Sequence, residues 1–459
     1  MSYDYDLIVV GGGPGGYVAA VRAAELGLRC AIVENREFGG TCLNRGCIPT
    51  KTLLHAAQLY EECRHFDEIG LHADGVSFDY GRIHARKNEV VATLRGGIEQ
   101  LIARHKVAAF TDTAVVADGH TVRLRDSGER LTGKYLLLAT GSVPALPPIP
   151  GLDLPNVLNS DGLLAREDEL PASLIIIGGG VIGVEFATVC AALGSTVTII
   201  EAMDRLLPEM DKEISQNLTM LLKKRGITVH CGAKVDRVTE ENGLTCHFTK
   251  KEQAEAVNAA AILVATGRRP FIGPLFEDGF TVACERGHIV VDENCRTNVE
   301  SIYAIGDVTG GIQLAHYASA MGIYAVETMA GRRPSVDLAT VPGCIYTSPE
   351  IAAVGLTEAQ AKAAGIAVQC AKFPMSANGK SLVEQEERGF IKLVARAEDG
   401  VLIGAQLMCG RATDLVAELT CAITNGLTAE QLTAPIHPHP TFCEGIGEAA
   451  IKLKDALNK

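Results

Sequence analysis

GGGPGGYVAAVRAAELGLRCAIVE at residues 11–34 and GGGVIGVEFATVCAALGSTVTIIE at residues 178–201 are two stretches of 24 residues that align without a gap. Gly11 matches Gly178, Gly13 matches Gly180, Gly16 matches Gly183, and the closing Glu34 matches Glu201. An apolar run precedes each copy, DLIVV in the first and SLIII in the second, and another apolar run precedes each glutamate. That order reads as strand, glycine turn, helix, strand, and its recurrence is an internal repeat.

A single GxGxxG is weak evidence, because glycines serve many turns. Here the flanking strand and helix recur twice, which makes a merely structural turn the poorer reading. The first glycine permits the turn, the second lets backbone approach a pyrophosphate, and the third allows close helix packing. Helix N-terminal amides then face the anion. Glu34 and Glu201 stand where a carboxylate accepts the ribose 2′-hydroxyl, and a carboxylate at Glu201 repels the 2′-phosphate of NADP, so NAD is expected in the second unit.

A weaker second repeat closes the copies: YLLLATGSVP at 135–144 and AILVATGRRP at 261–270. At 459 residues the chain is too long for one core, and about three domains are expected. The expected fold is α/β, with two Rossmann-like dinucleotide-binding domains and a C-terminal α+β domain. Boundaries are placed at 1–150 with 270–340 for the first domain, 151–269 for the second, and 341–459 for the third.

Composition narrows the function. Lys+Arg 42 against Asp+Glu 55 gives a net charge of −13, with no basic stretch to track phosphates, so nucleic acid is not an expected partner. No apolar run reaches the ~18 residues that span a bilayer, and MSYDYDLIVV lacks the layout of a signal peptide. Most of the 14 cysteines sit singly in apolar stretches, as Cys190, Cys231 and Cys421 do. They read as free thiols in a reducing, cytoplasmic compartment.

GGTCLNRGCIPTK is different, with Cys42 and Cys47 five residues apart. A regular helix separates such residues by about 7.5 Å along its axis, beyond the ~7 Å limit for a disulfide. Residues LNRG are therefore expected to be non-helical or distorted, with Gly46 assisting and Pro49 in a first helical turn. A thiol at a helix N-terminus favours redox exchange. Two unrelated thiols, or half of a metal site, are the alternatives, and no second pair of ligand spacing accompanies them.

The C-terminal IHPHPTFCEG supplies a candidate base. Dithiol oxidation near neutral pH needs one, and His439 lies five residues before Glu444, which could fix its tautomer. His437, His439, Cys443 and Glu444 are all competent metal ligands. Pro438 and Pro440 stiffen the segment and no distant ligand cluster accompanies it, so no metal is expected.

GGTCLNRGCIPTK, the two glycine fingerprints, YAIGD and the terminal HPT segment together resemble the pyridine nucleotide-disulfide oxidoreductases over essentially the whole chain. The resemblance implies FAD in the first cradle, NAD(P) in the second, and a homodimer built through the third domain. It implies that Cys42 exchanges with substrate, Cys47 faces the flavin, and the His439–Glu444 pair serves the disulfide of the other subunit. Lys51 would lie near the flavin with Glu185 as its acidic partner; an exposed helix ion pair is the plainer reading. On the FAD side it implies Ala114, Thr140, Gly141, Ser142, Asp307 and Ala315, and on the NAD side Val181, Val235 and Gly267. At 110–114 the chain reads FTDTA where the family often has a glycine-rich turn. Val181 is aliphatic where the glutathione-specific members carry a tyrosine lid. No lipoyl-bearing domain is present, so a lipoyl substrate would arrive on a partner protein of a 2-oxoacid dehydrogenase or glycine cleavage system. Another disulfide or quinone reductase, and a flavin-bearing structural subunit, are the rival readings.

Overall fold

The computed structural model describes residues 2–240, 243–386 and 388–459. Its first sheet is built around Tyr5–Val10, which pairs in parallel with Cys30–Glu34 on one side and Arg130–Leu138 on the other. Ala108–Thr111 extends the sheet beyond Cys30–Glu34. Leu7, Ile8 and Val9 are wholly buried. A strand covered on both faces reads as a continuous apolar run rather than an alternating one, and each such side chain contributes about 1.5–3 kcal/mol by leaving water. Ile302–Ala304, from the YAIGD segment, returns to this sheet and pairs in parallel with Arg130–Leu138 in the register Ile302↔Leu136.

The second glycine unit repeats the construction. Its sheet runs Thr228–Cys231, Thr196–Glu201, Ser173–Ile177, Ala261–Val264 and Val157–Leu158, with every pairing parallel. An antiparallel meander of Ala233–Glu240, Leu244–Lys250 and Gln253–Ala259 stands beside it. The segments that follow the two Ala-Thr-Gly motifs meet directly: Ser142–Pro144 and Arg268–Pro270 form an antiparallel ladder. The two units are thereby tied together at the ends of their central strands, where ligands of open α/β sheets bind.

The third unit is an antiparallel sheet of five strands in the order Gly343–Ile345, Glu350–Gly355, Leu402–Cys409, Phe390–Arg396 and Val368–Pro374. Helices Ala412–Thr424 and Glu444–Leu457 pack on it through Val416, Leu419, Ile446, Ala449 and Leu453. Among the described residues no helix is long and apolar enough to cross a membrane.

Candidate active site

A cavity of about 2140 Å³ runs between the two glycine units, and residues of the third unit complete its wall. Gly11 and Gly178 open its two cradles with φ of 108° and 111°. A Cβ at Gly16 would lie 1.9 Å from the Gly11 carbonyl oxygen, and one at Gly183 would lie 2.1 Å from that of Gly178. Those glycines serve close packing of helix onto turn. Around Gly180, by contrast, a Cβ would meet no atom within 4 Å, and at Gly13 only the Gly40 Cα at 4.0 Å. Each cradle thus keeps an open concavity at the middle glycine, next to the N-termini of Pro14–Glu25 and Val181–Ala192. This is the shape that backbone needs to approach a pyrophosphate, and both cradles fit a dinucleotide.

The closing carboxylates are fixed in the same manner. Glu34 accepts from the Gly12 and Arg36 amides at 2.7 and 2.8 Å, and Glu201 accepts from those of Gly179 and Met203 at 2.5 and 2.6 Å. A carboxylate has about four acceptor positions, so each oxygen retains one for a ribose hydroxyl. Val181, Val235 and Gly267 line the cavity on the side of the second cradle, and Ala114, Thr140, Gly141, Ser142, Asp307 and Ala315 on the side of the first. Ala315 is the first residue of helix Ala315–Met329.

The cysteine segment departs from the sequence expectation in one respect. Residues Gly40–Arg45 are helical, so LNRG is not distorted throughout. The break is confined to Gly46, with φ −144° and ψ −109°, and a second helix starts at Cys47 and runs to Cys63 with Pro49 in its first turn. A Cβ at Gly46 would lie 2.9 Å from the Thr41 carbonyl oxygen and 3.3 Å from the Cys42 Cα, so this glycine allows the chain to fold back on Cys42. Both cysteines line the cavity as thiols. The hydrogen bond from Cys42 draws the Cys47 thiol down to about 7, helped by the Lys51 ammonium and opposed by burial and by Glu185. The same bond, together with burial, pushes the Cys42 thiol up.

Lys51 follows one turn after Cys47, and its Nζ donates to both oxygens of the buried Glu185 at 2.9 and 2.8 Å. This is not an exposed helix pair. The Tyr346 amide donates to the same carboxylate at 3.1 Å, and the ammonium lies 4.6 Å from the Tyr346 ring centroid. The third unit therefore buttresses the pair from behind.

His439 is not brought to this cavity. Its Nδ1 pairs with Glu444 Oε1 at 2.9 Å, while the side chain is 78% exposed. The Thr441 amide donates to the other oxygen of Glu444 at 2.8 Å, and that bond, with the imidazole, lowers the Glu444 carboxyl below its ordinary range. The imidazole is oriented and solvent-facing, yet within one chain it stands outside the cavity that Cys42 and Cys47 line. His437 pairs separately with Glu418 at 3.0 Å. Among the described residues no group of three or more His, Cys, Asp or Glu could hold a metal ion.

Three cavity residues were not singled out in the sequence. Asp112 accepts from the amides of Thr113, Asp126 and Ser127 at 2.6–3.0 Å and shapes the wall beside Ala114. An aspartate in the turn FTDTA is the available signal, since Asp commonly bonds nearby backbone. Arg268 donates to Ser142, and these residues occupy the same place in the two Ala-Thr-Gly repeats. Tyr346 comes from the third unit, and nothing local in sequence connects it with Lys51.

The pyridine nucleotide-disulphide oxidoreductase family matches residues 5–322, and its dimerisation domain matches residues 341–450. The chain belongs to this family of oxidoreductases. It is 42% identical over 456 residues to a dihydrolipoyl dehydrogenase of Bacillus subtilis, covering 97% of this chain and 95% of the relative. It is likewise 42% identical over 455 residues to the dihydrolipoyl dehydrogenase of Geobacillus stearothermophilus, with the same shares covered. Among solved structures it is similar to the HOCl-induced flavoprotein disulfide reductase RclA of Escherichia coli, with TM-score 0.86, 32% identity and 97% and 99% of the two chains covered. LpdA of Mycobacterium tuberculosis superposes with TM-score 0.89 at 27% identity, over 97% and 99% of the chains.

Proposed function

We propose that this chain oxidises protein-bound dihydrolipoamide to lipoamide and reduces NAD+ to NADH. FAD belongs in the first cradle and NAD in the second. The observation that carries the reading is the placement of a Cys42–Cys47 pair, with its lowered Cys47 thiol, in the cavity between two dinucleotide cradles, joined to full-length similarity with dihydrolipoyl dehydrogenases. Glu201 supports NAD over NADP, since its buried carboxylate closes the second cradle, where it would repel a 2′-phosphate.

The residues divide the work as follows. In the oxidised protein Cys42 and Cys47 form a disulfide. His439 takes a proton from one substrate thiol, and the thiolate attacks Cys42 Sγ, breaking the disulfide and leaving Cys47 as thiolate. The second substrate sulfur then attacks its partner in the mixed disulfide, its proton passing to the departing Cys42 sulfur, which closes the lipoamide ring and leaves Cys42 as a thiol. Glu444 holds the His439 tautomer that leaves Nε2 free to accept, and stabilises the cation that results. The Lys51 ammonium stabilises the Cys47 thiolate. Bound FAD supplies the two-electron link by which dithiol electrons pass as hydride to NAD+.

The exposed position of His439 supports a homodimer in which the base of one subunit serves the cysteines of the other. Ile436 beside it is 97% exposed, and Leu382 and Val383 of the same unit are 58% and 70% exposed. Apolar side chains so presented fit burial against a second copy through the dimerisation domain. The lipoyl group arrives on a partner of a 2-oxoacid dehydrogenase or glycine cleavage complex, and the thiol-rich chain is assigned to the cytoplasm.

Likeness to RclA favours a second reading, a reductase of another disulfide. Initial rates of the flavin-loaded protein with NADH or NADPH against lipoamide, glutathione disulfide and a quinone separate them. Lipoamide with NADH should be fastest; a preference for another acceptor overturns the proposal.

A further inference from the structure

The two Ala-Thr-Gly motifs are joined by more than their backbone ladder. Arg268 Nε donates to Ser142 Oγ at 2.8 Å, Arg268 Nη2 donates to the Ser142 carbonyl oxygen at 2.7 Å, and Ser142 Oγ lies 2.5 Å from Asp307 Oδ2. Arginine has no acceptor, so Ser142 Oγ must accept from Arg268 and spend its single hydrogen on Asp307. The direction of the chain is thereby fixed: Arg268, then Ser142, then Asp307. All three line the cavity. Arg268 directly follows Gly267, at the mouth of the second cradle, whereas Asp307 belongs to the first, in the turn after strand Ile302–Ala304. Donor bonds from a guanidinium are among the stronger ones, and a hydroxyl that accepts one becomes a better donor itself.

We infer that Arg268 is a positioning residue that links the occupancy of the second cradle to the flavin-side carboxylate Asp307 through Ser142. A nucleotide touching the Gly267 turn moves the base of the guanidinium, and the fixed hydrogen-bond chain passes that movement to the carboxylate in the first cradle. Without the guanidinium, the Ser142 hydroxyl is free to turn from Asp307, and the coupling is lost. The inference rests on the reading that the first cradle holds FAD and the second NAD.

The test uses the flavin-loaded full chain and two readouts independent of turnover: the rate of FAD release on dilution, followed by flavin fluorescence, and the change in the visible flavin spectrum on adding NAD+. Arg268→Met should release FAD about tenfold faster, and should bind NAD+ with a much reduced change in the flavin spectrum. Arg268→Lys, which can reach one of the two acceptors, should recover part of both. Because Arg268 acts through Ser142, R268M combined with Ser142→Ala should release FAD no faster than S142A alone. Wild-type behaviour of R268M in both readouts overturns the inference, as does simple multiplication of the two single effects in the double variant. A wild-type chain that retains no FAD overturns instead the cofactor reading beneath it.

Discussion

Replacing Lys51 by Met and Glu185 by Gln should move the Cys47 thiol in opposite directions. Cys47 and Lys51 are one turn apart on helix Cys47–Cys63, a spacing that sets such side chains about 5–6 Å apart. At an effective dielectric constant of ~20, a unit charge at ~6 Å contributes about 2.8 kcal/mol, a ceiling of about two pH units. Glu185, 2.8 Å from the ammonium, cancels part of that. A net effect of about one unit remains. In Lys51→Met the Cys47 midpoint should therefore rise by about one unit, cutting the thiolate fraction well below the midpoint by about tenfold. In Glu185→Gln the anion that opposes thiolate formation is gone while an oxygen still accepts from the Tyr346 amide, so the midpoint should fall by about half a unit. The assay is anaerobic: each protein is reduced by two electrons and the long-wavelength absorbance of thiolate against bound flavin is followed from about pH 5 to 9. Midpoints that move together, or that do not move, refute the assignment of Lys51 and Glu185 as opposed charges acting on Cys47.

Cys47→Ser should abolish lipoamide turnover while leaving flavin bound, and measurable turnover would remove Cys47 from the reaction. His439→Gln should slow dihydrolipoamide oxidation by about 10²–10⁴-fold and spare oxidation of NADH by a quinone, which needs no thiol base; equal losses in both assays would contradict the role. Gly183→Ala places a Cβ 2.1 Å from the Gly178 carbonyl oxygen, so thermal unfolding should show a loss of about 1–3 kcal/mol. Gly180→Ala meets no protein atom within 4 Å and should keep the unfolding temperature while raising KM for NAD+; a destabilised G180A would show that this space is not reserved for ligand.

The glycine units were legible because their constraints are local. A positive φ at Gly11 and Gly178, and a helix seated on the turn at Gly16 and Gly183, recur at fixed spacing and leave the same letters twice. The cysteine pair was legible for a similar reason, though its spacing suggested a longer distortion than the single break at Gly46. Two helices meeting at one permissive residue satisfy the same distance limit, and spacing cannot distinguish that from an irregular loop. Lys51 and Glu185 stand 134 positions apart, and only the family pattern connected them in sequence; their burial and the Tyr346 amide behind them depend on how three units pack.

By itself the sequence pointed to two glycine cradles, a close cysteine pair, a histidine with its carboxylate, and NAD in the second unit, since each reading rests on residue types at short, fixed separations. Tertiary structure alone decided that Ile302–Ala304 returns to the first sheet, that the two Ala-Thr-Gly segments meet, and that Arg268 reaches Asp307 through Ser142. It also set His439 on an exposed surface away from Cys42 and Cys47. These are contacts between distant segments, fixed by which apolar faces bury one another, and no local pattern of residues encodes them.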